Sequence, residues 1–154
     1  MKLHRIEERQ RLPISREEAW AFFSDPGNLA AITPPWLAFE VTSPLPPAVY
    51  PGLIVSYRIR PLGRAPLTWV TEINHVRTGE FFVDEQRFGP YRFWHHQHHF
   101  HLCPGGVEMT DLVHYGMPLW PFGELAHTLL VGRRLRGIFA YRREALAARF
   151  GVLP

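Results

Sequence analysis

Hydrophobic and polar positions alternate along most of this chain and then change period near its end. Between residues 121 and 150, Phe122, Leu125, Leu129, Gly132, Leu135, Phe139 and Leu146 recur at short helical steps. Arg133, Arg134, Arg136, Arg142, Arg143, Glu144 and Arg149 fall mostly between them. That spacing predicts one long amphipathic helix with a solvated arginine face. At about 1.5 Å per residue it would be roughly 40 Å long, so something broad and concave must cover its apolar side. Gly132 and Gly137 lie inside it. Each disfavours helix by about 1 kcal/mol relative to Ala, which points either to close packing or a slight bend, or to room for a ligand or a gate.

Upstream the period is two. Leu3–Leu12 predicts a first strand near a sheet edge, stopped by Pro13. Ser15 and Glu18 form a capping box ahead of Ala19, Trp20, Phe22 and Phe23, so a short helix should run to about Ser24. Asp25-Pro26-Gly27 turns the chain, residues 28–32 suggest a second short helix, and Thr33-Pro34-Pro35 forces extended backbone. Phe39 and Val41 then alternate with Glu40 and Thr42, before a stiff proline-rich loop over residues 44–51. Leu53, Val55, Tyr57 and Ile59 share one side of a strand against Ser56, Arg58 and Arg60. Leu67, Trp69, Thr71 and Ile73 repeat the motif against Thr68, Glu72 and Asn74. Turns at Thr78-Gly79, Gly89-Pro90 and residues 103–106 separate three further strands, and Met117-Pro118 delivers the chain to the helix. The order is strand, two short helices, about six strands and a long terminal helix. It predicts an α+β architecture, with residues 1–154 as one domain and a pocket between sheet and helix.

Composition adds few constraints. Hydrophobic residues at 46% and charged residues at 20% fit an ordinary globular chain. No segment has the apolar length of a membrane span, and the first 15 residues are too charged for a secretory signal, so a cytoplasmic location is expected. The single cysteine, Cys103, gives no internal disulfide and fits a reducing compartment. A formal charge of +3 is too mild to imply a nucleic-acid partner, while self-association as a homodimer stays open. Aromatic residues at 14% suit a chain that lines a cavity as well as filling a core.

The succession Ile32-Thr33-Pro34-Pro35-Trp36-Leu37, then Phe82-Val83-Asp84-Glu85-Gln86, then Gly89-Pro90, Trp94, His96, His98 and Phe100, then Gly105-Gly106, Asp111 and Tyr115 resembles ligand-binding SRPBCC proteins. These belong to the START-related helix-grip superfamily, with the polyketide cyclases, lipid-transfer domains and pollen-allergen proteins. The resemblance implies a seven-stranded antiparallel curved sheet wrapped around the C-terminal helix. It also implies an internal cavity for a hydrophobic or amphipathic small molecule. It carries no agreed catalytic residue, and therefore assigns none here.

Nine histidines are the unusual total, five of them between His95 and His101. If Cys103 and Gly106 flank a two-residue turn, then Trp94, His96, His98 and Phe100 face Tyr115, Val113, Asp111 and Met109. A three-residue turn at Gly89-Pro90 would bring Asp84 opposite His96. Two carboxylates and two imidazoles then share the sheet interior. They are either buried cross-strand pairs, or the polar end of a ligand pocket, or a general acid/base site of cyclase, dehydratase or hydrolase type. His96-Gln97-His98 and His99-Phe100-His101 have a spacing compatible with zinc, but without Cys or HExxH context no metal or other cofactor is expected. No phosphate-binding glycine loop or GxSxG elbow is present.

The expected ligand-binding wall comprises Trp36, Phe39, Tyr57, Trp69 and Trp94, with His96, His98, Met109 and Tyr115 from the sheet and Leu125 and Leu129 from the helix; Trp120 is a further candidate. The mouth is expected at residues 33–36, 61–66 and 118–123. An exposed apolar patch at Trp120-Pro121-Phe122, or the arginine-rich helix, would instead suit an accessory interaction domain.

Overall fold

The computed structural model describes residues 1–61, 63 and 65–154. Strand β1 (Leu3–Leu12) is followed by helix α1 (Arg16–Phe23) and two 3-10 turns, Pro26–Ile32 and Pro35–Leu37. Strands β2 (Glu40–Val41), β3 (Leu53–Ile59), β4 (Leu67–Arg77), β5 (Phe81–Phe88), β6 (Phe93–Cys103) and β7 (Gly106–Gly116) come next. The chain ends in a helical rod made of α2 (Phe122–Ala126), a wider π turn (His127–Val131) and α3 (Gly132–Phe150).

The strands form one seven-stranded antiparallel sheet in the order β1-β7-β6-β5-β4-β3-β2. This is the helix-grip architecture that the resemblance implies. β2 to β7 follow one another as a meander, and β1 closes on β7. The short helical segments therefore carry the chain from one sheet edge to the other. α1 starts where expected, with Ser15 Oγ accepting the Glu18 backbone N–H at 3.0 Å. Thr33 and Pro34 are extended as their prolines require, and Pro35–Leu37 then adds a short turn that ends at left-handed Ala38.

Burial follows the strand parity. Leu53, Val55, Tyr57 and Ile59 are buried while Ile54 and Arg58 between them are exposed. Register shifts between Val70 and Thr71, and between Ile73 and His75, mark irregularities in β4; such bulges bend a strand and increase its twist. At the other end, a Cβ on Gly106 would sit 2.0 Å from the Leu12 carbonyl oxygen, so glycine is needed where β7 starts beside β1.

Two apolar clusters hold the halves together. One joins Phe22, Phe100, Val107, Met109 and Leu146; the other joins Trp94, Val113, Tyr115, Leu135 and Phe139. The helix meets both, but with a corrected phase. Leu135, Phe139 and Leu146 are buried, whereas Phe122, Leu125 and Leu129 are 76%, 59% and 70% exposed. At about 100° per residue Leu129 and Leu125 lie roughly 120° and 80° round the helix from Leu135, and the π turn, with more residues per turn, carries them further off that face. Walking back from Leu135, Val131, Leu130 and Ala126 border the hollow, the last two from its exposed rim, and the leucines expected there face outward. Trp120 is likewise 70% exposed. No helix among the described residues is long and apolar enough to cross a membrane.

Gly132 is packed against His127, whereas a Cβ on Gly137 would meet no atom within 4 Å. Gly137→Ala should therefore raise unfolding free energy by about 1 kcal/mol, measured by urea denaturation. An unchanged or lowered value would contradict a regular, solvent-facing helix at that point.

Candidate functional site

Between the concave sheet face and the terminal helix lies a hollow of about 400 Å³. Its walls are mainly apolar. Trp36, Phe39, Tyr57, Trp69 and Trp94 border it from the turns and sheet, and Leu130, Val131, Leu135, Ile138 and Phe139 border it from the helix. Trp36 and Arg134 are both exposed at its rim, with the guanidinium carbon 4.8 Å above the indole ring, a cation–π contact linking the short turns to the helix. Pro61, Pro90, Tyr91 and Met117 complete parts of the border. In the loop expected at the mouth over residues 61–66, Leu62 and Arg64 lie outside the described residues.

The polar floor comes from β5, β6 and α3, with a carboxylate of β7 beneath it. Register puts Asp84 opposite His96 and His98 opposite Asp111, as hairpin arithmetic predicts. The hydrogen bonds, however, run diagonally. His96 Nε2 lies 3.1 Å from Asp111 Oδ1, and His98 Nε2 lies 2.9 Å from Asp84 Oδ2. Imidazoles leaning along the strand reach the diagonal neighbour more readily than the one directly across. His98 Nδ1 is also 2.8 Å from Asp111 Oδ1, but out of line for a hydrogen bond, so that nitrogen has no satisfactory partner. The two imidazole rings are 3.8 Å apart, centroid to centroid.

Arg142 completes the cluster. Its Nη1 donates to Asp111 Oδ2 at 3.0 Å, and the residue is 8% exposed. The spacing of the helix predicts it on the solvated arginine face. Yet position 142, three after Phe139 and four before Leu146, falls on the buried stripe, and an arginine on that stripe is the signal that the sequence offers.

Electrostatics divides the cluster into roles. Burial pushes the Asp111 carboxyl up, but Arg142, then His96 and His98, hold it well below the usual carboxylate range. Burial also opposes ionisation of Asp84, and His96 and His98 outweigh it, so this carboxyl too is held low. Burial, reinforced by His98, lowers the pKa of His96. Burial works against charge on His98 as well, but its contacts with Asp111 and Asp84 prevail and raise its pKa. The arrangement favours two carboxylates, one guanidinium, one imidazolium at His98 and a neutral His96. Those charges balance. Tyr57, whose phenol is kept protonated by burial and then by Asp84, borders the same hollow.

Of the expected wall, Met109, Tyr115, Leu125 and Leu129 do not reach the hollow. Met109 fills the dry cluster beside Phe100, and the Tyr115 hydroxyl is engaged by His127 at 2.8 Å. Asp111 lies beneath the floor, 1% exposed, rather than on its surface. Donor atoms of Asp84, His96 and His98 lie within 4.8 Å of one another, close enough to hold a metal. Arg142 already supplies the positive charge that the carboxylates need.

Removing Arg142 should leave Asp111 buried without its main counter-charge. Arg142→Met is expected to lower unfolding free energy by about 3–5 kcal/mol, and Asp111→Asn in the same chain should recover a large part of it, as read from a double-mutant cycle by urea denaturation. Additive losses would contradict the pairing. The raised pKa of His98 has its own signature: its contribution to stability is full below 6.5 and is lost as pH rises through the folded value. Wild-type stability should thus decline above about pH 6.5, the ordinary histidine value, and His98→Asn should flatten that limb. A flat wild-type profile would overturn the charge assignment.

No protein-family model matches the chain. Solved structures share its fold. Protein CV1439 from Chromobacterium violaceum superposes with a TM-score of 0.72 at 12% identity, covering 96% of both chains. The Zhui aromatase/cyclase from Streptomyces sp. R1128 gives 0.69 at 12%, covering 96% of this chain and 93% of that one. A nucleoside-diphosphate sugar epimerase from Corynebacterium glutamicum gives 0.64 at 24%, but this chain, covered to 93%, spans only 28% of it. Among curated proteins, a probable endonuclease LCL3 from Arthroderma otae is 44% identical over 48 residues, 29% of this chain and 17% of that protein. Likeness at these identities establishes the helix-grip fold and leaves the chemistry to the site.

Proposed function

We propose that this chain binds a hydrophobic or amphipathic small molecule, of lipid, isoprenoid or polyketide-like aromatic type, in the hollow between sheet and terminal helix. The observation that carries this reading is an apolar chamber with a polar cluster confined to its floor. Its volume of about 400 Å³ falls among small-molecule pockets, roughly 300–1,000 Å³. Apolar walls reward a greasy ligand body. Asp84, His96 and His98 can orient a single carbonyl or hydroxyl at its tip. The shared fold of an aromatase/cyclase is compatible with a ligand of that shape.

A second reading has its own observation. His96 and His98 both border the hollow and have pKa values pushed in opposite directions, the pattern that separates a base from an acid. In a cyclase or dehydratase, His96 would accept a proton from an enolisable position while His98 donated one to the departing or developing oxygen.

Three measurements test these readings. Native mass spectrometry of protein from its own host should find a co-purifying small molecule. Ile138→Trp, which fills the chamber from the helix side, should weaken an apolar fluorescent probe by about tenfold or more while leaving the circular dichroism spectrum unchanged. Unchanged probe affinity in that folded variant would place binding elsewhere. For the enzymatic reading, His98→Asn should retain probe binding and lose turnover of a polyketide-like substrate; equal turnover would remove it.

A further inference from the structure

A second group of ligating side chains lies outside the hollow, where β1 meets the first turns of the terminal helix. His4 Nε2 is 2.9 Å from Glu124 Oε2, and the His4 ring stacks on His127 with centroids 3.7 Å apart. The donor atoms of His4, Glu124 and His127 all fall within 4.8 Å of one another. Topology brings them together: Glu124 and His127 are neighbours on one helix face, and His4 pairs across β1–β7 with Tyr115. The Tyr115 hydroxyl reaches His127 Nε2 at 2.8 Å.

We propose that His4, Glu124 and His127 form a divalent transition-metal site of the zinc class, with the Tyr115 oxygen beside the remaining coordination position. Two imidazoles and one carboxylate match the ligands of a zinc ion, and imidazole selects against calcium and magnesium. Ligand bonds of about 2.0–2.1 Å leave donor atoms of a tetrahedral site roughly 3.4 Å apart, within the spread of this group. Gly132 packs closely against the same ring. A Cβ at Gly132 would sit 3.1 Å from His127 Nε2, so a larger residue there would press on the ring.

The inner group, Asp84 with His96 and His98, is tied into a larger network, because both of its imidazoles also lie against Asp111. Asp111 inside is already met by Arg142, whereas Glu124, among the described residues, has an ion pair with His4 alone. Lys2 and Arg136 are near enough to be felt at His127, yet neither bonds Glu124. A dication would neutralise this carboxylate and, once one imidazole turns out of the stack so that the two lone pairs converge, be held by both rings. It would also fasten β1 to the π turn that begins at His127 and carries Leu130 and Val131 to the rim of the hollow. The site therefore ties metal occupancy to the shape of the mouth.

The test is zinc binding to the full chain by competition with a chromogenic chelator, together with thermal unfolding. The expected result is one tightly held ion per chain and a melting temperature that rises with zinc. His4→Gln and Glu124→Gln should each weaken binding by about tenfold or more and remove the thermal shift. His99→Gln with His101→Gln, on the outer face of β6, should change neither. Cobalt in place of zinc should give visible absorption that Tyr115→Phe alters. Should zinc bind equally to His4→Gln and Glu124→Gln, each checked for native circular dichroism, or should no ion bind above the level of the unfolded chain, the proposal is overturned.

Discussion

A buried carboxylate sets the terms for this structure. Asp111 lies on the inward face of β7, almost without solvent, and cannot remain charged there unless positive groups come to it. Arg142 answers from the helix and His98 from the neighbouring strand. The contact is thus a spatial constraint as much as an energetic one. Buried ion pairs add little net stability against a hydrophobic alternative, but leaving one partner buried and unpaired costs about 3–5 kcal/mol, which penalises any packing that separates the two. Here the guanidinium has to arrive at one place on the sheet, which fixes where α3 crosses it.

The hollow follows from that constraint and from the sheet's bend. C-terminal to Arg142, Leu146 packs into the dry cluster around Phe22 and Phe100. N-terminal to it, the helix passes over a strand surface bent at the irregularities of β4, with large rings standing upright on it. Trp69 and Trp94 meet edge to face at 89°, and Tyr91 leans on both. Rigid plates in that arrangement brace one another and do not collapse into the remaining space. The π turn then rotates the helix so that Leu130 and Val131 roof the chamber while Leu125 and Leu129 face outward.

Much of this was legible in the sequence because strand parity and turn length are strong local signals. The Cys103–Gly106 turn sets the register of β6 on β7, a turn centred on Gly89-Pro90 sets that of β5 on β6, and the two bring Asp84, His96, His98 and Asp111 face to face. Local pattern failed where a non-local event decided the outcome. Leu125 and Leu129 continue a run of three- and four-residue steps, but that run drifts off the face set by Leu135, Phe139 and Leu146, and a change of winding that hydrophobic spacing does not encode carries it further. Arg142 looked like one more surface arginine until its partner, 31 positions earlier in the chain, was seen beneath it. Met109 and Tyr115 were assigned the correct face of the sheet, yet facing inward does not distinguish dry core from chamber wall.

The most direct test of the account follows the side-chain nitrogens of selectively 15N-labelled histidine by NMR while an apolar probe is titrated in. If the charged cluster is the floor of the chamber, His96 and His98 should shift together with probe concentration, while His75, His99 and His101 on the outer face stay still. Binding that leaves His96 and His98 unmoved and perturbs the outer histidines would contradict it.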